Sequence, residues 1–260
     1  MKGAPCRDEV IVLRSLKLGE SSRIVSCLAL GHGHIKLVAR GVSGPRGRWG
    51  GLLECGNELE AVFYARPDRE LWTLAEAGLL RAALTGGGSL DKLSYLLAVL
   101  ELADRLLPER EPVRTIAAIY RRYLDRWHHE GPTAMPALFF ALEMALLKEL
   151  GLSIELSRCG DCGRVLQADE GALFRPAEGN LVCRSCSRGK GVRVGAGDLA
   201  TWRTLEGFLE IGEIPRLDEE PRRRIGKLIH LQMMHHLPRY RIPGSLYWLR
   251  TADGTEGDQS

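Results

Sequence analysis

No apolar run in this 260-residue chain approaches the ~20 residues that a bilayer-spanning helix needs. The most apolar helix candidate, Ala137 to Leu147, is broken by Glu143. The opening residues, Met-Lys-Gly-Ala-Pro-Cys-Arg-Asp-Glu, lack the apolar core of a secretory signal, so the expectation is a cytoplasmic protein without a membrane role. Aromatic residues are scarce at 6%, with Trp49, Trp72, Trp127, Trp202 and Trp248 spread along the chain. Internal repeats are lacking. So are the usual catalytic arrangements: no Ser-His-Asp, Cys-His or paired-carboxylate set can be assembled. Gly41, Gly44 and Gly47 are not followed by the Gly-Lys-Ser or Gly-Lys-Thr of a phosphate loop. The chain is therefore expected not to be an enzyme, with a hydrolase of unusual site as an alternative. A charge excess is almost absent too: 36 Lys plus Arg against 33 Asp plus Glu leave +3, so only the distribution of charge can point to a partner. A composition 45% hydrophobic and 27% charged excludes disorder for most of the length and suits about two domains.

What is present changes character along the chain. Short apolar runs bounded by turn residues recur at Val10–Leu13, Ile24–Leu30, Ile35–Ala39, Leu59–Tyr64 and Leu71–Leu74, and each predicts a strand. Gly31-His32-Gly33-His34 predicts a tight hairpin between the second and third. Ile35, Leu37 and Ala39 should share one face of the third strand, leaving Lys36, Val38 and Arg40 on the other. Five short strands over residues 1–80 suit a small closed barrel of OB type, with an SH3-like barrel fitting nearly as well. After Gly86-Gly87-Gly88-Ser89 the period becomes helical. Helices are predicted from Leu90, after Pro112, from Ala134 to Leu150, from Asp198 to Ile211 and from Glu219 to Leu237. The fold class is α+β: a barrel over 1–80, then an all-helical domain over 81–155 and 190–250. A cysteine module at 156–189 is inserted in it, and 251–260 form a polar tail expected to be disordered.

From Ser21 to Leu53 there are five cations, Arg23, Lys36, Arg40, Arg46 and Arg48, and no Asp or Glu. The segment Ala39 to Gly51 holds five glycines, three arginines and Trp49. Arginine forks bind phosphate bidentately, glycine admits close backbone approach, and Trp49 offers a ring on which a base could stack. These six residues form the candidate nucleic-acid path. A solvated loop, with Trp49 as a plug beneath the barrel, is the competing reading. Arg114, Arg121, Arg122 and Arg126 are most simply the solvated face of the second helix.

Cys159-Gly-Asp-Cys162 and Cys183-Arg-Ser-Cys186 are separated by 20 residues. Each Cys-x-x-Cys turn presents two thiolates, and two such turns complete the tetrahedral shell of one structural zinc ion. With four thiolates the shell is closed and leaves no position for a catalytic water. The intervening Arg164–Val182, with Ala177-Glu178-Gly179-Asn180 as its turn, predicts a hairpin, and the whole a zinc ribbon. Four reduced core cysteines are the plainer alternative.

The order of parts, together with particular segments, resembles the RecO family of bacterial recombination mediators over about residues 1–250. The carrying segments are Gly19-Glu20-Ser21-Ser22-Arg23 and Gly33-His34-Ile35-Lys36-Leu37-Val38-Ala39-Arg40-Gly41-Val42. Phe139-Phe140-Ala141-Leu142-Glu143-Met144-Ala145-Leu146-Leu147-Lys148-Glu149-Leu150-Gly151-Leu152, leading into Cys159, is the most specific. The resemblance implies a non-enzymatic, nucleoid-associated protein, monomeric when free, that binds single- and double-stranded DNA and anneals complementary strands. It further implies action with RecR to load RecA on DNA coated by single-strand-binding protein, whose acidic C-terminal tail would meet Arg121 and Arg122. An RNA-binding accessory factor of transcription or translation is the alternative.

Overall fold

The computed structural model describes residues 4–42, 49–66, 68–84, 89–167, 170–206 and 214–252. The chain divides into two compact units, residues 1–118 with 243–260, and residues 119–242.

In the first unit five strands, β1 (Ala4–Leu18), β2 (Ser22–Ala29), β3 (Gly33–Arg40), β4 (Glu58–Ala65) and β5 (Leu71–Arg81), close in the order β1-β2-β3-β5-β4. This is the OB-type barrel expected from five short apolar runs. β1 runs past the predicted end at Leu13 because it serves two neighbours. Its first part pairs with β4 from Ala4↔Ala65 to Ile11↔Glu58, and its second with β2 from Val10↔Ala29 to Leu18↔Ser22. A bulge between Val12 and Arg14 supplies the bend. β3 meets β5 in parallel over Lys36–Val38 alone. Val10, Val12, Val25, Cys27, Ile35, Leu37, Ala39, Leu59, Ala61, Phe63 and Leu74 fill the interior.

α1 (Leu90–Leu106) starts on Ser89, whose hydroxyl accepts from the Lys92 amide. Although it opens the helical part of the sequence, α1 belongs with the barrel and packs on β1 and β2. There it buries Ile11 and Leu28 on the outer side of the sheet. The Glu101 carboxylate accepts the Gly244 and Ser245 amides at 2.8 and 3.3 Å, tying the short final helix segment to this unit. The expected tail lies outside the described residues from position 253 onward.

The second unit begins within α2 (Arg114–His129) and contains α3 (Met135–Glu149), α5 (Ala196–Leu205) and α6 (Glu219–His236). Between α3 and α5 lie β6 (Ala172–Arg175), β7 (Asn180–Val182), the single turn α4 (Arg184–Ser187) and β8 (Val192–Val194). α3 is apolar on almost every side because α5 and α6 both pack on it. Its buried acid, Glu143, accepts from the Tyr240 hydroxyl at 3.3 Å.

That burial generates a pH dependence. Desolvation pushes the Glu143 carboxyl up to about 8, against the smaller opposing effect of the Tyr240 hydrogen bond. An unfolded glutamate titrates near pH ~4.3. Between these values the folded protein keeps a proton that the unfolded chain has released, so stability falls as pH rises from about 4.3 to about 8 and then levels. Glu143→Gln retains an acceptor for Tyr240. Its melting temperature should match the wild type near pH ~5 and exceed it above pH ~8; parallel pH profiles for the two proteins would refute this account.

Candidate nucleic-acid interface and metal centre

Residues paired across antiparallel strands point to the same side of a sheet. The registers therefore build three rows on the outer face of β1, β2 and β3: Arg14–Ser26–Lys36, Leu16–Ile24–Val38 and Leu18–Ser22–Arg40. Cations stand in the first and last rows, with apolar side chains between them. Leu16 and Leu18 are 45% and 43% exposed. Such a surface can hold a polyanion at its edges and apolar faces at its middle.

Lys36 and Arg40 occupy the positions expected of them, opposite the buried Ile35, Leu37 and Ala39. Arg40 is exposed and forms no ion pair among the described residues. Arg23 is not brought to this face. It has the inward parity of Val25 and Cys27, lies at the barrel end, and meets Ser15 Oγ at 3.2 Å and Glu54 at 3.5 Å. Trp49 is corrected from stacking platform to core plug. Only 2% exposed, it lies among the barrel's interior residues, and its indole N–H donates to the Arg40 carbonyl at 2.8 Å. No ring face is left for a base. Arg46 and Arg48 lie outside the described residues. Arg14, Leu16 and Leu18 were not predicted, because the bulge breaks the alternation that would have extended the first strand to them.

One end of the face is closed by α1 and the residues after it. Ser26 Oγ donates to Asp104 at 2.5 Å, and His34 Nε2 lies 2.7 Å from Ser26 Oγ and 3.2 Å from Asp104. Burial works to raise the Asp104 carboxyl, but hydrogen bonds from His34 and Ser26, together with the charges of His34 and Arg14, hold the group below its ordinary range. The same imidazole nitrogen meets both partners, while His34 Nδ1 is buried without a hydrogen bond among the described residues. Ser, His and Asp here form a closed polar knot and not a relay from nucleophile through base to orienting acid. Arg14 lies 4.0 Å from Asp104, and Lys36 donates to Glu109 at 2.5 Å.

In the second unit the four sulfurs of Cys159, Cys162, Cys183 and Cys186 lie within 4.8 Å of one another. Gly163, at φ +71°, allows the first knuckle to fold back, so that its amide meets the Cys159 carbonyl at 2.9 Å. The Cys183 amide donates to Cys159 Sγ at 3.3 Å. A hydrogen bond from Arg164 draws the Cys183 thiol down to about 6. Four convergent thiols at this spacing fit a thiophilic tetrahedral ion: a metal–sulfur bond of about 2.3 Å sets sulfurs about 3.8 Å apart. The expected hairpin is present as β6 and β7, and β8 adds an unpredicted third strand beside β6. On α2, Arg121 is half-buried and Arg122 exposed.

A family model described as Recombination protein O N terminal matches residues 1–83, and one described as Recombination protein O C terminal matches 87–245. The chain is 36% identical over 214 residues to the DNA repair protein RecO of Bradyrhizobium diazoefficiens, covering 79% of this chain and 76% of that protein. It is 33% identical over 188 residues to the protein of the same name from Pelobacter propionicus, covering 70% and 72%. Against that of Anaeromyxobacter sp. (strain K) it is 29% identical over 233 residues, covering 88% and 90%.

Two measurements check these placements. Metal analysis of reduced protein should find about one zinc ion per chain, and Cys159→Ser or Cys183→Ser should lose the ion and destabilise the second unit; metal-free, fully stable protein would contradict the assignment. Trp49→Ala should cost about 3–5 kcal/mol of stability, as for a large core residue. A variant of undiminished stability would return Trp49 to the surface.

Proposed function

Because the chain belongs to the RecO family, and hence to DNA repair and recombination, we propose that it is a non-catalytic mediator whose barrel face takes single-stranded DNA. The observation that carries this reading is the three-row outer face, with Lys36 and Arg40 flanking Leu16, Ile24 and Val38. Phosphates would meet the cations, and bases would lie on the apolar middle row. Arg46 and Arg48 extend the same acid-free stretch of sequence and would lengthen the path. Binding through backbone charge and apolar contact is tolerant of sequence, which suits a protein that must handle any broken strand and bring complements together.

The remaining parts of the reading rest on the family resemblance. The protein would act in the cytoplasm with RecR, anneal complementary strands, and let RecA load on strands coated by single-strand-binding protein. The acidic tail of that protein would be met by Arg121 and Arg122 of the second unit, and duplex DNA would also be bound. Cys159, Cys162, Cys183 and Cys186 would hold one zinc ion. Its part is to fasten a module too small to have its own core; a shell of four thiolates offers no open position for substrate.

Salt titration tests the face. Each phosphate contact on a single strand contributes about −0.7 to the slope of log affinity against log salt. Replacing Lys36 and Arg40 together by Ala should therefore flatten the slope for an oligothymidylate by about 1.4 units at most and slow annealing of complementary oligonucleotides. An unchanged slope and rate would remove the barrel face from the function. Tighter binding to RNA of matching sequence would favour an RNA-directed role instead.

A further inference from the structure

We propose that Glu109 is a built-in competitor for phosphate at Lys36, its carboxylate occupying the place a DNA phosphate takes when a strand binds. This rests on the reading of the barrel face as the DNA path.

The segment that follows α1 crosses the start of β3. Glu109 forms an isolated parallel bridge with His34, and the Arg110 amide donates to the His34 carbonyl at 2.9 Å. Arg110 takes φ +61°, a left-handed conformation uncommon for a residue with a side chain. Its guanidinium lies 5.6 Å from the Trp72 ring centroid and donates to the Arg69 carbonyl. Gly33 makes room for the crossing: a Cβ there would fall 1.8 Å from the Glu111 carbonyl oxygen. Backbone bonds and the Arg110 contacts thus hold this strap in place without help from the Glu109 side chain.

The side chain does something separate. Glu109 Oε1 meets Lys36 Nζ at 2.5 Å with the two side chains 43% and 35% exposed. The hydrogen bond from Lys36 keeps the Glu109 carboxyl below its ordinary range, so it stands as an anion on the cation. An ion pair this open to water is weak and can be exchanged for another anion with the strap left where it is. Asp104, which faces Arg14 in the same row, is different. It is locked by Ser26 and His34 and is not free to yield. The exchange is therefore specific to Lys36: a phosphate oxygen replaces Glu109 on the ammonium, and Glu109 turns to water. Weak anions leave the site closed to them, while a polyanion also held at Arg40 displaces the carboxylate.

The test measures oligothymidylate binding across a salt series with wild type, Glu109→Gln, Lys36→Ala and the double variant. Glu111→Gln is the control, because Glu111 is an exposed acid two residues away. Glu109→Gln should tighten binding about two- to fivefold, as expected for release of one exposed ion pair, and steepen the salt slope by up to about 0.7. The gain should vanish in the Lys36→Ala background, and Glu111→Gln should give a smaller effect. A wild-type protein that binds while Glu109→Gln matches it in affinity and slope overturns the proposal and leaves the DNA-binding face standing. A gain that survives Lys36→Ala, or is equalled by Glu111→Gln, reduces it to net charge and overturns it. A wild type that binds no strand overturns the reading of the face itself, and the proposal with it.

Discussion

Closure of the barrel depends on one strand satisfying two neighbours. Open strand edges leave rows of unpaired amides and carbonyls, and a five-stranded sheet escapes them only if its first strand reaches both its second and its last partner. β1 does so by spending its first half on β4 and its second on β2, with the bulge beside Leu13 as the turning point. The outer face follows from that bend. Before the bulge, outward side chains such as Ile11 are covered by α1. After it, Arg14, Leu16 and Leu18 emerge beside β2 and β3, giving a surface that is partly apolar yet rimmed by charge.

The second unit solves a different difficulty. Its helical centre is closely packed, and it tolerates the buried acid Glu143 by keeping it protonated beside Tyr240. The cysteine module buries Phe174, Leu181, Val182 and Val194, and three of these, Phe174, Leu181 and Val194, line one small cavity with Leu199, Trp202 and Leu228. β6, β7 and β8 have four, three and three residues, too short to be stable alone. A metal ion held by the four convergent sulfurs would add a fastening to that packing.

Much of this architecture was legible in the residues. Short apolar runs bounded by turn residues located every strand of the barrel, and in the third, from Ile35 to Arg40, alternation also separated the inside from the outside. Helical spacing located the longer helices, and the paired cysteines located the module. Three things were hidden for physical reasons. Amphipathic spacing says that α1 has a buried side but not what lies beneath it, so its allegiance to the barrel could not be read. Glycine and arginine around Trp49 suggested an accessible loop, whereas the ring found a vacancy in the interior and a carbonyl for its N–H. The acid that neutralises Lys36, Glu109, lies some seventy residues further along, so a local count of charge overstated how free that cation is.

The return of residues 243–252 to α1, fixed by Glu101, has a consequence for biosynthesis. The first unit is discontinuous in the chain, with the whole of residues 119–242 lying between its two pieces. On a ribosome, the strands, α1 and the entire second unit emerge before the segment that completes the first. The barrel and α1 thus wait on a segment that emerges only after all of residues 119–242, and Glu101 must await its amides until then.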